Sequence, residues 1–310
     1  MKTLVLAHYY TTPEVQQMAD FVGDSLELSL RAQESNAERI VFAGVKFMAE
    51  TAKILNPNAE VILPNPASTC SLVTQSETKG MHNLEFILKL FHNAATRPTI
   101  VTYINSSYQV KALSDIIVTS ANVEDIVTNL IESGEEVYFT PDRNMGAYLR
   151  SQNPEWGDKF TYYDKAVCEV HDQFKADELK NLPWTNYGTY ILAHPESPLP
   201  VLEQANLVGS TRKMLNYVEN FLHKFGRIIV ATEDGLLNNM REARPELDIQ
   251  LAPTYSGCQC NSCPYMKMNS VQAVELAIQG IGGLVIDYIP EDARLKALKP
   301  IKRMMEWQQE

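Results

Sequence analysis

No stretch of the 310-residue sequence approaches the roughly 20 consecutive apolar residues that a membrane-spanning helix needs. The opening Met1-Lys2-Thr3-Leu4-Val5-Leu6-Ala7-His8 turns polar too soon for an export signal. No membrane partner is expected, and a reducing cytoplasm is the expected compartment. Positive charge is also scarce: 27 Lys and Arg stand against 38 Asp and Glu, a net charge of −11. That balance argues against a protein that grips nucleic acid through its phosphates, while a local positive pocket can still take an anionic substrate. No Gly/Ser-rich linker interrupts the chain, which excludes domains strung as beads. Cysteines are few and odd in number: Cys70, Cys168, Cys258, Cys260 and Cys263. A long chain with no export signal and an odd cysteine count does not read as a disulfide framework. The cluster Cys258 to Cys263 lacks the second pair of a zinc ribbon, so a closed four-thiolate zinc site is not evident. With 45% hydrophobic and 21% charged residues, the composition is that of an ordinary globular enzyme.

What the chain does contain is a pattern written three times. Asn56-Pro57, Asn153-Pro154 and Arg244-Pro245 end helix-like segments spaced by 97 and 91 residues. Each is preceded by an apolar run (Ile40–Ala43, Val137–Thr140, Ile228–Ala231) and followed by another (Val61–Pro64, Lys159–Tyr163, Ile249–Pro253). Ser25, Ser120 and Ser210 lie 95 and 90 residues apart and each opens a helix-like segment. Further upstream stand Leu4–His8, Thr99–Tyr103 and Tyr190–His194. Each unit thus reads strand, helix, strand, helix, strand, and short buried strands alternating with helices imply parallel sheets. The fold class expected is α/β: three similar α/β/α layered domains, residues 1–96, 97–186 and 187–310, in a pseudo-threefold arrangement. The run Gly282–Ile289 is expected to be one more strand of the third domain, before a closing amphipathic helix.

The cysteines follow the same pattern. Cys70 lies 13 residues after Pro57, Cys168 14 after Pro154 and Cys263 18 after Pro245. Each unit therefore carries one cysteine just past the carboxyl end of its last core strand, where open α/β sheets gather ligands. A pseudo-threefold axis would bring three soft sulfur ligands together, a donor set suited to an iron–sulfur cluster. A four-iron cluster held by three cysteines keeps one iron open to substrate.

Polar residues also collect at the ends of the first strands: His8-Tyr9-Tyr10, Tyr103-Ile104-Asn105-Ser106 and His194-Pro195-Glu196. Histidine and glutamate tuned by burial transfer protons. The serine-bearing helix starts offer hydroxyls and backbone N–H groups to phosphate or carboxylate, although a plain N-cap accounts for any one of them. His171, in Cys168-Glu169-Val170-His171, is placed either near the cluster or at the surface. Pro141-Asp142-Arg143-Asn144 and Thr232-Glu233-Asp234-Gly235 read as turns. Lys46 is a weaker candidate for attracting anions, and Met266, Met268, Met304 and Met305 read as packing.

These stretches resemble the quinolinate synthase family, the A protein of bacterial de novo NAD synthesis. The likeness runs in order through Ala7–Tyr10, Ala19–Leu26, Phe42–Lys53, Tyr103–Ser106, Pro141–Asn144, Cys168–His171, Ala193–Glu196, Gly209–Thr211 and Cys263–Asn269. The resemblance implies three α/β domains around a [4Fe-4S] cluster with Cys70, Cys168 and Cys263 as ligands and one open iron. Within the terminal run it implies the last cysteine, leaving Cys258 and Cys260 as spare thiols or a redox-sensitive pair. It implies condensation of iminosuccinate (iminoaspartate) with dihydroxyacetone phosphate to quinolinate, phosphate and water, coupled to an aspartate-oxidising enzyme. By the same resemblance His8, Ser25, Tyr103, Asn105, Ser120, His194 and Thr211, with Glu196, hold the substrates. Glu196 is the general base, and Tyr10 and His194 assist. Two other readings stay open at this level. One is a diphthamide-synthesis-type [4Fe-4S] enzyme acting on S-adenosylmethionine; the other is a non-catalytic iron–sulfur sensor or scaffold.

Overall fold

The computed structural model describes residues 1–75, 97–180, 182, 188–222, 226–254 and 261–307. Cys258 and Cys260 lie outside the described residues. Three sheets are present among them, and each repeats one strand order. The first holds β1 (Thr3–His8), β2 (Phe21–Gly23), β3 (Arg39–Ala43) and β4 (Glu60–Leu63), ordered β2-β1-β3-β4. The second holds β5 (Thr99–Tyr103), β6 (Ile116–Val118), β7 (Val137–Thr140) and β8 (Phe160–Tyr162), ordered β6-β5-β7-β8. The third holds β9 (Thr189–Ala193), β10 (Leu207–Val208), β11 (Arg227–Ala231) and β12 (Asp248–Leu251), ordered β10-β9-β11-β12. All these pairings are parallel. Central strands are covered on both faces, so Leu6, Val41, Val101, Phe139, Leu192 and Val230 are buried and the strands read as apolar runs.

Each unit has one strand more than the sequence pattern suggests. The extra strands β2, β6 and β10 are two or three residues long, too short to show a period of their own. They matter because the chain reverses direction across each sheet between the first and third strands, creating the switch point at which α/β folds bind ligands. The helices that leave β2 and β10 are α1 (Ser25–Gln33) and α5 (Thr211–Glu219); α3 (Val123–Glu132) follows β6. The helices after the third strands are α2 (Lys46–Leu55), α4 (Arg143–Gln152) and α6 (Gly235–Ala243).

Register aligns the units residue by residue. Ala7 pairs with Val22, Thr102 with Ile117 and Ala193 with Val208. Counting on, the partner of Ser25 and Ser120 is Thr211 rather than Ser210. Ser210 instead caps α5 by accepting the Lys213 amide, the position held in the first unit by Asp24.

The chain's last segment departs from the expected layout. β13 (Leu284–Val285) pairs antiparallel with β4, inside the first sheet rather than the third. α7 (Val271–Gln279) covers β3, and α8 (Glu291–Glu306) packs against β6 and α2. Ala297, Ile301, Met304 and Met305 of α8 are buried in a core shared by the first two units, so the tail binds both. The third unit has a separate core around Leu192, Val230 and Met240. Met304 and Met305 pack as expected, whereas Met268 is partly exposed. Among the described residues no helix is long and apolar enough to cross a membrane.

Candidate active site

The carboxyl ends of the three sheets face one cavity. From the first unit come His8 and Tyr10 after β1, Ser25 at the start of α1, and Cys70. From the second come Tyr103, Asn105, Ser120 and Cys168. The third gives His194, Glu196, Thr211 and Cys263. All twelve line this cavity, so every site residue expected from sequence is brought together. Lys46 is not part of the lining; it is half-exposed and 3.9 Å from Glu50.

Local hydrogen bonds orient the polar side chains. The Tyr10 amide donates to His8 Nδ1 at 3.1 Å, and the Glu196 amide faces His194 Nδ1 at 3.4 Å. The two repeat-equivalent histidines therefore keep Nδ1 as acceptor and carry their proton on Nε2. Burial holds both imidazoles neutral, pushed down to about 3. Glu196 Oε2 lies 2.8 Å from His171 Nδ1. A carboxylate only accepts, so that nitrogen carries the proton, and His171 Nε2 meets Thr232 Oγ1 at 2.9 Å. His171 stacks on His194 with ring centroids 4.5 Å apart. Burial pushes the Glu196 carboxyl up, but His194, His171 and a hydrogen bond from Tyr103 outweigh it and hold the group down at about 2. The Tyr10 hydroxyl lies 3.3 Å from Thr211 Oγ1 and 3.1 Å from Thr232 Oγ1. Burial raises both Tyr10 and Tyr103 well above the usual phenol range, keeping them protonated donors.

Second-row contacts fix the loops. The Glu196 carbonyl accepts from Asn144 Nδ2 at 2.9 Å. Fully buried Lys111 donates to the carbonyls of Ile104 (2.8 Å) and Ser106, bracketing Asn105, with its ammonium 5.2 Å from the Phe47 ring centroid. Two carbonyls and an aromatic face compensate an ammonium that would otherwise be costly to bury. Lys267 Nζ donates to the Tyr10 carbonyl at 2.9 Å.

The cysteines are placed in one manner. Cys70 immediately precedes the helical turn Ser71–Gln75, Cys168 stands three residues before the turn His171–Gln173, and Cys263 caps the turn Pro264–Lys267. Each cysteine thus stands ahead of a turn of helix, where free N–H groups point outward. Compared with known families, residues 1–306 match the quinolinate synthetase A protein. The chain belongs to that family. It is 40% identical to a quinolinate synthase of Cyanophora paradoxa over 306 residues, 99% of this chain and 88% of the relative. It is 41% identical to one of Chloroherpeton thalassium over 308 residues, 99% of this chain and 90% of the relative. With one of Synechococcus it shares 40% over 306 residues, 98% and 91% of the two chains. These family members are enzymes, and the full-length match does not favour the diphthamide-synthesis-type reading.

The family's three-thiol site can be tested on these residues. Cys70, Cys168 and Cys263 are free and only partly exposed. Burial first, then neighbouring charge, pushes the Cys70 thiol up to about 12, and burial does the same for Cys263. Without a metal these are neutral thiols; a metal must displace their protons. The convergence of three sulfurs on one cavity fits a thiolate-bound metal centre. Beside them, donor atoms of Cys168, His171 and Glu196 lie within 4.8 Å of one another, a group able to hold a metal ion.

Sequence reasoning left His171 between two roles and read Thr232, Glu233 and Asp142 as turns. His171 is buried and touches both Cys168 Sγ (3.2 Å) and Glu196. Thr232 bridges Tyr10 and His171, and Glu233 lines the cavity. The available signal was register: all three turn residues follow the third strand of a unit, level with the cysteine loop.

Proposed function

We propose that the protein condenses iminosuccinate with dihydroxyacetone phosphate to quinolinate, phosphate and water in NAD biosynthesis, in the cytoplasm and downstream of an aspartate-oxidising enzyme. The observation that carries this reading is the convergence of one thiol, one hydroxyl just past the second strand and one polar end of the first strand from each of three units on a single cavity. On the same reading the chain divides into domains 1–96, 97–186 and 187–310, the last sending its final segment back onto the first two, and each supplies one ligand to a [4Fe-4S] cluster.

The substrates bring two carboxylates and a phosphate into an acidic protein. Ser25 and Thr211 open helices of nine residues each, and their hydroxyls with the adjacent N–H groups suit such anions. Ser120, Asn105 and the Nε2–H donors of neutral His8 and His194 complete a set that binds without positive side chains. Tyr103 and Tyr10, kept as phenols, donate to oxygens that gain charge. Glu196 stays ionised in the free enzyme. Substrate carboxylates arriving beside it raise its proton affinity, moving it toward the range in which a general base works. His171 and His194 relay protons to and from it. Cys70, Cys168 and Cys263 would hold the cluster, whose open iron supplies a Lewis acid to polarise substrate.

The test is anaerobic reconstitution with iron and sulfide, then incubation with aspartate, an aspartate-oxidising enzyme and dihydroxyacetone phosphate. Quinolinate should form and should require both substrates. Iron-loaded protein that makes none refutes the assignment.

A further inference from the structure

The three units share a backbone contact beside each cysteine. Lys46 N donates to Ser68 O at 2.8 Å, Arg143 N to Ala166 O at 2.9 Å and Asp234 N to Asn261 O at 3.1 Å. Each carbonyl belongs to the residue two before the cysteine. The residue just ahead of each donor is therefore equivalent in the three units: Val45, Asp142 and Glu233. In two of them it is a carboxylate with no exposed surface. Asp142 Oδ2 accepts the Cys168 amide at 2.8 Å, and Glu233 Oε1 accepts the Cys263 amide at 3.0 Å. The other oxygen of each accepts an amide of the following segment, Met145 N at 3.0 Å and Gly235 N at 2.6 Å. Glu233 Oε1 also meets Lys267 Nζ at 2.9 Å, and Lys267 in turn holds the Tyr10 carbonyl.

A cap alone needs one oxygen, and Ser or Asn would provide it. Here two different acids, one methylene apart in length, both reach the amide of the cysteine itself. Burying a carboxylate is costly unless its oxygens are engaged, and the engagement is spent on the cysteine loop in both cases. We propose that Asp142 and Glu233 are positioning residues that tether Cys168 and Cys263 as ligands, whereas Val45 leaves Cys70 the less tethered of the three. This rests on the reading of these cysteines as the ligands of one metal centre. Retention of that centre then depends on two carboxylates whose oxygens engage the amides of the cysteine loops.

Amide hydrogen exchange on the metal-free chain, and iron release to a chelator from the reconstituted enzyme, test the proposal together. In Asp142→Ala the amide of Cys168 should exchange about tenfold faster or more, with Cys263 unchanged; Glu233→Ala should do the reverse. Both should release iron about tenfold faster. Asp142→Asn and Glu233→Gln keep one acceptor oxygen for two amides and should fall between the parent and the alanine variants in both measurements. In the unaltered chain the Cys168 and Cys263 amides should exchange more slowly than that of Cys70, which needs no variant to fold. Equal rates at all three cysteines, or alanine variants that match the parent in exchange and iron release, overturn the tethering. Parent protein that binds no iron overturns the reading of the metal centre, while the exchange arm still decides whether the carboxylates hold the cysteine loops.

Discussion

Glu196 is where the charges of the cavity meet. Its carboxylate is 2.8 Å from His171 Nδ1 and 3.8 Å from His194 Nδ1, and both imidazoles are buried with it. A buried carboxylate so engaged is both a proton acceptor and the anchor of His171, on which His194 stacks. Glu196→Gln preserves shape and removes the charge. It should leave iron content unchanged and lower kcat by about a hundredfold or more. A near-normal kcat at full iron content would remove Glu196 from the chemistry. The residue types at strand ends were legible because His, Tyr and Glu at such positions have no packing reason to be there. Lys111 and Thr232 were not, since their roles depend on the contacts they make: Lys111 reaches two carbonyls behind the Asn105 loop, and Thr232 stands between two side chains about 60 and 220 positions away in the chain.

Among the elements, α1 shows how a helix start is made to face ligand. Asp24 accepts the amides of Leu26 and Glu27, and the Glu27 carboxylate accepts the Asp24 amide at 2.9 Å, a closed capping box. Ser25 needs no part in capping and is left for the cavity. The cost is a carboxyl buried beside a second one: burial, with the nearby Glu27, pushes Asp24 up to about 6 against the pull of its two amides. A carboxyl raised in the folded state gives stability that is fully present below its ordinary value of 3.8 and lost as pH climbs through about 6. The chain should therefore lose up to about 3 kcal/mol of unfolding free energy across that window from this group. Asp24→Asn should remove that part of the slope, as read by urea unfolding of parent and variant at successive pH values. An unchanged slope would show that Asp24 titrates normally. Elements of nine or ten residues were readable from apolar spacing, as in α1, α2 and α4. Strands as short as Leu207–Val208 and Leu284–Val285 carry too few side chains to announce a partner, and only hydrogen-bonded register reveals where they belong. The same register replaces Ser210 with Thr211 at the cavity, a one-residue offset invisible to spacing because both residues bear a hydroxyl.

Over the whole molecule, function depends on three bodies meeting. Among the described residues each unit supplies a single thiol to the shared cavity, so no unit can stand in for another. Cys70→Ala, Cys168→Ala and Cys263→Ala should each abolish the reconstituted iron–sulfur absorbance and the bound sulfide, with the chain still folded by circular dichroism. Replacing Cys258 and Cys260 should leave both signals intact. A full cluster in any one of the first three variants would break the ligand assignment. The threefold pattern was legible because the prolines, strand runs and cysteines keep nearly constant spacing. The course of the tail was not, because α8 is amphipathic in a way that suits any apolar surface; Ile301 and Met304 settle between the first two units only because β13 leads them there.

That returning tail has a bearing on biosynthesis. Cys70 and Cys168 leave the ribosome long before Cys263, and the strand that closes the first sheet is made later still. A partly synthesised polypeptide therefore has an unsealed first sheet and an incomplete core between the first two units until the late segment arrives.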